Sequence, residues 1–297
     1  MAIILNGVSR KRNLFFKNFY PQLKAHFEVQ LFETAYSGHA FILSKEATAN
    51  GFDTILAAGG DGTLHQVLNG ILQSEAKTFP ALGLIPLGSA NDFARTVGQP
   101  TSADYLINLL QKNAPSLLDV GKVKCNDEKG YEITRYFINV CSLGMGPLVV
   151  KRLERNRKKW GVTLSYLSSI LTTFFTHKPQ HITCTTSDWV WEGKARVVAV
   201  ANGTAFGNGI YIAPDALLND RLLNSFIAEN VPLWKFLFYL QTLKSKKKIV
   251  NEHISYKTIR LAQLTSAISC ALEAEGELIG FLPATIEVQP AFLKFYR

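Results

Sequence analysis

An uncharged run, Thr54-Ile-Leu-Ala-Ala, enters Gly59-Gly60-Asp61-Gly62-Thr63 and continues as Leu64-His65-Gln66-Val-Leu-Asn-Gly with apolar residues at helical spacing. A buried-type strand, a glycine turn and a helix in direct succession make one half of a parallel crossover, because parallel neighbours need a long return connection. The surrounding sequence keeps the same rhythm. Apolar runs at 2–5, 29–32, 54–57 and 82–85 are followed by helix-period stretches at 14–27, 40–49, 64–72, and at 92–97 with 105–110. The expectation for residues 1–118 is a doubly wound α/β domain that binds nucleotide beyond the carboxyl ends of its strands.

Past Pro115 the pattern changes to strand-like segments at 134–141, 181–186, 197–201, 222–227, 253–259, 267–272 and 284–288. Helical patterns remain at 149–157, 164–175 and 233–243. Adjacent strands with few crossover helices predict a mainly antiparallel β-sandwich over 119–297, the last strand being a candidate to return to the first domain. Residues 160–177 carry no Asp, Glu, Lys or Arg, yet hold seven Ser/Thr. Leu164, Leu167, Ile170, Leu171, Phe174 and Phe175 recur at helical spacing, so an amphipathic helix explains the stretch without membrane insertion.

Apolar residues make up 47% of the 297 and charged ones 19%, which excludes a mostly disordered chain. Lys and Arg number 32 against 23 Asp and Glu, and the net +9 attracts phosphate, anionic lipid or nucleic acid without choosing among them. Cys125, Cys141, Cys184 and Cys270 are scattered, which argues against a zinc ribbon or a disulfide framework and fits a reducing cytosol. The N-terminus reads as a first strand and not as an export signal.

The chemistry concentrates in two loops. Gly59, Gly60 and Gly62 permit close backbone approach, and their N–H groups with the following helix N-terminus form an anion site. Thr63 adds a hydroxyl, and Asp61 a carboxylate able to engage Mg²⁺ through water. Alone, such a segment is more simply a turn with Asp61 capping the helix. A second loop, Pro86-Leu-Gly-Ser89-Ala-Asn91-Asp92-Phe-Ala-Arg95, follows the next strand, and two polar glycine loops at neighbouring strand ends make a nucleotide cleft.

With the Asn6-Gly7-Val8-Ser9-Arg10 turn, these motifs resemble the diacylglycerol kinase catalytic-domain family, specifically its soluble bacterial lipid kinases, over nearly the whole chain. The resemblance implies ATP contacts at Asn6, Gly7, Val8, Ser9 and Arg10, at Thr34 ahead of Gly38-His39-Ala40, at Gly60, Asp61, Gly62, Thr63, Leu64, His65 and Gln66, and at Ser89. It also implies a Mg²⁺ held by the carbonyls of Leu217 and Leu222 and the carboxylate of Asp220, although turn formation explains that segment about as well. Glu275-Gly276-Glu277 resembles the family's Asp-Gly-Glu, with Glu277 as proton acceptor from the lipid hydroxyl and Glu275 and Asp61 as further catalytic candidates. Taken alone it is an acidic hairpin turn. Glu275 stands for Asp, Ser89 for Thr, His65-Gln66 for Asn-Glu, Arg221 for Gly and Asn224 for Asp.

The expectation is a kinase that uses ATP and Mg²⁺ to phosphorylate diacylglycerol or a related lipid at an anionic membrane surface. No nucleic-acid partner is expected, and a homodimer stays open. The alternatives are an NAD kinase, which shares the Gly-Gly-Asp-Gly-Thr loop, and a catalytically impaired lipid- or nucleotide-binding module. His177 and His181 have metal-like spacing, but Pro179 would break the helix presenting them. Two basic runs, at 151–160 and Lys244-Ser-Lys246-Lys247-Lys248, read either as solvated helix ends or as lipid-docking patches.

Overall fold

The computed structural model describes residues 1–99, 101–156 and 162–297. The chain divides into two compact units, Met1–Leu118 with Ala291–Arg297, and Asp119–Pro290.

In the first unit, β1 (Ala2–Leu5), α1 (Arg12–Asn18), α2 (Tyr20–His26), β2 (Gln30–Glu33), α3 (His39–Ala49), β3 (Thr54–Gly59), α4 (Asp61–Leu72), β4 (Ala81–Pro86), α5 (Asp92–Thr96) and α6 (Ala103–Gln111) follow one another. The strands run parallel in the order β2-β1-β3-β4. Phe295, near the C-terminus, pairs parallel with Leu82 on the far side of β4. Ile3, Leu5, Leu56 and Ala58 pack on Phe15, Phe19 and Leu23 and on Leu106 and Ile107 of α6. Ile4, Ile55 and Ala57 point to the opposite face and are equally buried, so these strands are apolar on both sides. A Cβ on Gly70 would overlap Ser44 Oγ and the Phe41 carbonyl, so glycine there lets α3 and α4 pack closely. The expected single helix at 14–27 is two, because Pro21 sits in the first turn of α2 and the chain restarts at Phe19.

The second unit contains β5 (Ser116–Asn126, entered from the first unit), β6 (Glu132–Phe137), β7 (Val140–Gly144), α7 (Met145–Asn156), α8 (Val162–Thr176), β8 (Gln180–Thr186), β9 (Val190–Ala201), β10 (Leu223–Glu229), α9 (Leu233–Lys244), β11 (Ile254–Ile259), β12 (Leu261–Thr265), β13 (Ala271–Ala274) and β14 (Glu277–Phe295, whose end belongs to the first unit). Antiparallel pairing runs β11-β10-β9-β7-β13-β14, while β8 bridges β9 to β12 and β12 returns to β14. One apolar core joins Val123, Phe137, Leu143, Ile182, Val198, Leu264 and Ile286. A second lies under the helices, where Val149, Ile170 and Leu243 cover Val140, Ala199, Ala201 and Phe226.

The expected strand 134–141 is interrupted at Ile138 and Asn139, whose amides are taken by a carboxylate described below. Of the expected strand 267–272 only Ala271 and Leu272 are extended. His177 follows the end of α8 and His181 lies in β8, so the two rings belong to different elements. Among the described residues no helix is long and apolar enough to cross a membrane. Residues 157–160 of the first basic run lie outside the described residues.

Candidate active site

Four loops leave the carboxyl ends of β1, β2, β3 and β4 on the same edge of the first unit's sheet. Because β2 lies on one side of β1 and β3 on the other, the chain changes direction between β1 and β3, and such a switch point opens a crevice in parallel sheets. Backbone and side-chain hydrogen bonds knit the loops together. Asn6 Nδ2 donates to Thr63 Oγ1 (3.1 Å), and the Gly7 N–H donates to Thr34 Oγ1 (3.1 Å). The Leu87 and Gly88 amides donate to the Gly59 carbonyl at 2.8 and 3.1 Å, tying the second loop to the first.

Glycine is required where the loops meet. A Cβ on Gly60 would stand 3.1 Å from Gly88 Cα, and one on Gly88 would overlap Gly60 Cα and Asn91 Oδ1. Asn91 takes a left-handed conformation (φ 52°) and donates from Nδ2 to the Gly88 carbonyl at 3.2 Å, which fixes the turn into α5. Asp61 does not cap its own helix. Gly60 is the N-cap of α4, with no side chain on the first amides, and Asp61 Oδ1 reaches across to accept the Phe93 N–H in α5 (3.1 Å).

Uncapped amides at the start of α4, strengthened by the helix dipole, make this edge a site for an anionic group. Lys11 Nζ donates to the Gly88 carbonyl (3.0 Å) and Arg10 is exposed beside the same turn, so cations flank the loops. Asp92 is buried and pairs with Arg95 Nη1 at 3.4 Å. The side chains of Leu64 and His65 are buried within α4, so those residues can meet a ligand only through backbone, whereas Ser89 and Val8 are exposed and Gln66 is half-buried.

In the second unit, β13 and β14 are joined by the two residues Glu275 (φ 55°) and Gly276 (φ 82°), with Ala274 opposite Glu277. Two successive positive φ values define the primed turn that matches strand twist, so the acidic motif is a hairpin turn in form. A glutamate in left-handed backbone is strained by roughly 1 kcal/mol or more. Its carboxylate holds it there, since Glu275 Oε1 accepts the amides of Ile138 (3.0 Å) and Asn139 (2.6 Å). The turn has a second brace. Glu273 is 1% exposed, accepts the Gly276 N–H through Oε2 (3.0 Å), and accepts the Ser142 hydroxyl through Oε1. Burial pushes the Glu273 carboxyl up to about 7, against the opposing pull of the Ser142 and Gly276 hydrogen bonds. Glu277, half-buried, opens β14.

The expected cation loop lies elsewhere in that unit. Asp220 Oδ1 accepts the Leu222 amide (3.0 Å), and Asp119 Oδ2 accepts the Arg221 amide (2.6 Å). Arg221 has φ 65°, which accounts for glycine being usual there. Leu217 is exposed and Leu222 half-buried. Two carboxylates, Asp119 and Asp220, are thus held by consecutive amides of this loop, while among the described residues no group of three or more His, Cys, Asp or Glu side chains could hold a metal ion.

Sequence reasoning missed Lys11, Asp119, Ser142 and Glu273. Lys11 sits in the basic run Arg10-Lys11-Arg12 directly after a strand-end turn, and Asp119 and Glu273 are lone acids inside apolar strands. An acid in such a run must find partners, and that was the available signal.

Two family models match the chain: Diacylglycerol kinase catalytic domain over residues 1–123 and YegS C-terminal NAD kinase beta sandwich-like domain over 139–297. Lipid kinase YegS of Escherichia coli is 29% identical over 257 residues, 86% of this chain and 82% of that protein. The protein named "Probable lipid kinase YegS" from Escherichia fergusonii is 31% identical over 272 residues, 92% of this chain and 86% of its own. A crystal structure of a diacylglycerol kinase from Bacillus anthracis shares the fold with a TM-score of 0.73 at 20% identity, covering 99% of this chain and 95% of that one. The chain belongs to the diacylglycerol kinase catalytic-domain family. Within it the protein is a lipid kinase of the YegS type, which sets aside the NAD kinase alternative.

Proposed function

We propose that this lipid kinase transfers the γ-phosphate of ATP, with Mg²⁺, to a hydroxyl of diacylglycerol or a related lipid at an anionic membrane surface. The observation that carries the reading is the glycine-to-glycine contact of Gly60 and Gly88 at the switch point, bridged by Asp61. The amides of Asp61, Gly62 and Thr63 bind phosphate, Asn6 and Thr34 hold the β1 turn in place, and Lys11 and Arg10 balance charge. Positioning and electrostatics carry most of phosphoryl transfer, so a preorganised cradle is the main requirement. Asp61 and Asp92 are the carboxylates that would engage a Mg²⁺ bound with the nucleotide, and such an ion would supply charge neutralisation at the transferring group.

Glu277 takes the proton from the lipid hydroxyl. Glu275, whose Oε1 is committed to two backbone amides, holds the turn that presents it. Leu217, Leu222 and Asp220, with Asp119, would hold a second cation and stiffen the loop between Ala213 and Leu223.

Labelled ATP should pass its phosphate to a component of a lipid extract and not to NAD. Asp61→Asn keeps an acceptor for the Phe93 amide and removes the charge, and Glu277→Gln removes the base. Each should stay folded and lose roughly 10²-fold or more in turnover. Parent-level transfer by a folded Asp61→Asn protein would refute its assigned role.

A further inference from the structure

Helix α9 has two apolar faces. Phe236, Tyr239, Leu240 and Leu243 recur at i, i+3, i+4 and i+7 and pack on the helix-covered core, with the Phe236 ring 4.6 Å from that of Phe174. The opposite face of a surface helix is ordinarily charged or polar. Here it presents Trp234 (68% exposed), Phe238 (67%) and Leu237 (41%). Shortly beyond the helix Val250 is 98% exposed. Solvent-facing aromatic and aliphatic side chains at i, i+3 and i+4 are costly in water, and a contiguous patch of this kind marks a docking surface.

The charge around the patch identifies the occupant. Residues 230–251 contain Lys235, Lys244, Lys246, Lys247 and Lys248 and no Asp or Glu. Lys248 is engaged by Asp215 (2.5 Å), and the flanking acids are Glu229, which meets His253 at 3.2 Å, and Glu252. Lys246 stands over the Tyr211 ring at 4.9 Å and Lys235 over that of Trp234 at 5.5 Å. A second copy of the chain is a poor fit, because two-fold pairing through this face would bring two like-charged lysine clusters together. An aromatic and apolar face rimmed by lysines is the composition of a helix lying in a headgroup layer, with cations on lipid phosphates and rings at the acyl boundary. At 12 residues α9 is about 18 Å long, enough to lie in one leaflet and too short to span.

We infer that α9 and the lysines after it are the element through which the protein docks on anionic lipid, with Trp234, Leu237 and Phe238 entering the interface. The inference rests on the reading that the kinase works at a membrane surface, and it assigns that contact to one helix. Docking is separate from phosphate transfer, so the two can fail independently.

The test uses the full chain with vesicles of phosphatidylglycerol and phosphatidylcholine in equal parts, and vesicles of phosphatidylcholine alone. The parent should bind the first and be released by salt. Trp234→Ala/Phe238→Ala should weaken binding by about ten-fold or more, as lost burial of two rings requires. Lys244→Gln/Lys247→Gln should weaken it by about thirty-fold at low salt. Brominated lipid should quench the parent's fluorescence, and Trp234→Phe should abolish that quenching while keeping most of the binding. Circular dichroism confirms folding, and phosphorylation of a short-chain lipid below its micelle concentration should be unchanged in all three variants. Parent-like vesicle binding by either double variant, or quenching that survives Trp234→Phe, overturns the inference. So does a change from dimer to monomer in Trp234→Ala/Phe238→Ala with vesicle binding intact, which would make the face a contact between copies. If the parent docks through α9 yet phosphorylates no lipid, the kinase reading fails and the docking inference stands. If it phosphorylates the short-chain lipid and binds no vesicle, the reverse holds.

Discussion

Glu273 shows what a single buried acid does to this molecule. It lies opposite Ser142 across β13 and β7, and its two oxygens hold the Ser142 hydroxyl and the Gly276 amide. Desolvation raises its folded value to about 7 from an ordinary 4.5, so between those pH values the folded state binds a proton that the unfolded chain has released. Stability therefore falls as pH rises from about 4.5 to about 7 and levels off above, the opposite slope to that of a salt-bridged carboxylate. At roughly 1.4 kcal/mol per unit the effect is on the order of 3 kcal/mol. Glu273→Gln keeps a donor and an acceptor in place and cannot ionise. Urea midpoints between pH 5 and pH 8 should fall in the parent and stay level in the variant, which should be the more stable of the two at pH 8. Parallel curves would show that Glu273 is charged throughout and that Ser142 and Gly276 compensate it fully.

At the scale of elements, the site is a packing problem between two loops. Gly88→Ala would drive a methyl group into Asn91 Oδ1 and into Gly60 Cα, and the latter is backbone that cannot swing aside. The loops must part, and nucleotide affinity should drop about ten-fold or more while overall stability changes by about 1–3 kcal/mol. Isothermal titration with an ATP analogue, beside thermal unfolding, checks both, and unaltered affinity would show that the loop contact is incidental. These loops were legible because strand, turn and helix are consecutive in sequence, as from Thr54 to Leu72, so local pattern and tertiary role coincide. Other features lacked that property. β14 contains Pro283 and Pro290, which lower any expectation of a 19-residue strand, and the gap between β6 and β7 exists because Glu275, more than a hundred residues away, takes the Ile138 and Asn139 amides. The inward turn of Leu64 and His65 depends on which face of α4 meets the sheet. Lys11 was missed because its partner is the Gly88 carbonyl, which no local pattern connects to it.

At the scale of the whole molecule, the first unit is completed by the end of the chain. Phe295 is fully buried, packs edge-on against Phe93 with ring centroids 5.3 Å apart, and pairs beside Leu82. Tyr296 follows, with its N–H on the Leu82 carbonyl (2.9 Å) and its hydroxyl on Asn113 Oδ1 (2.9 Å). Phe93 is also the residue whose amide is held by Asp61, so a ring supplied by the chain's last strand backs the helix that fixes Asp61. Phe295→Ala removes that backing and leaves a cavity, costing about 3–5 kcal/mol. If α5 is positioned by this contact, the loss is not confined to stability: the Asp61 to Phe93 bond should loosen and ATP-analogue affinity should fall roughly ten-fold under conditions where the variant is still folded. Phe295→Leu, which refills most of the volume, should recover the greater part of both. The checks are a titration at low temperature, a urea unfolding curve, and amide exchange at Phe93, which should quicken in Phe295→Ala and return toward the parent rate in Phe295→Leu. A variant that is destabilised by the expected amount and yet binds nucleotide like the parent, with Phe93 exchange unchanged, would mean that Asp61 and the two glycine loops hold α5 in place without the strand behind it.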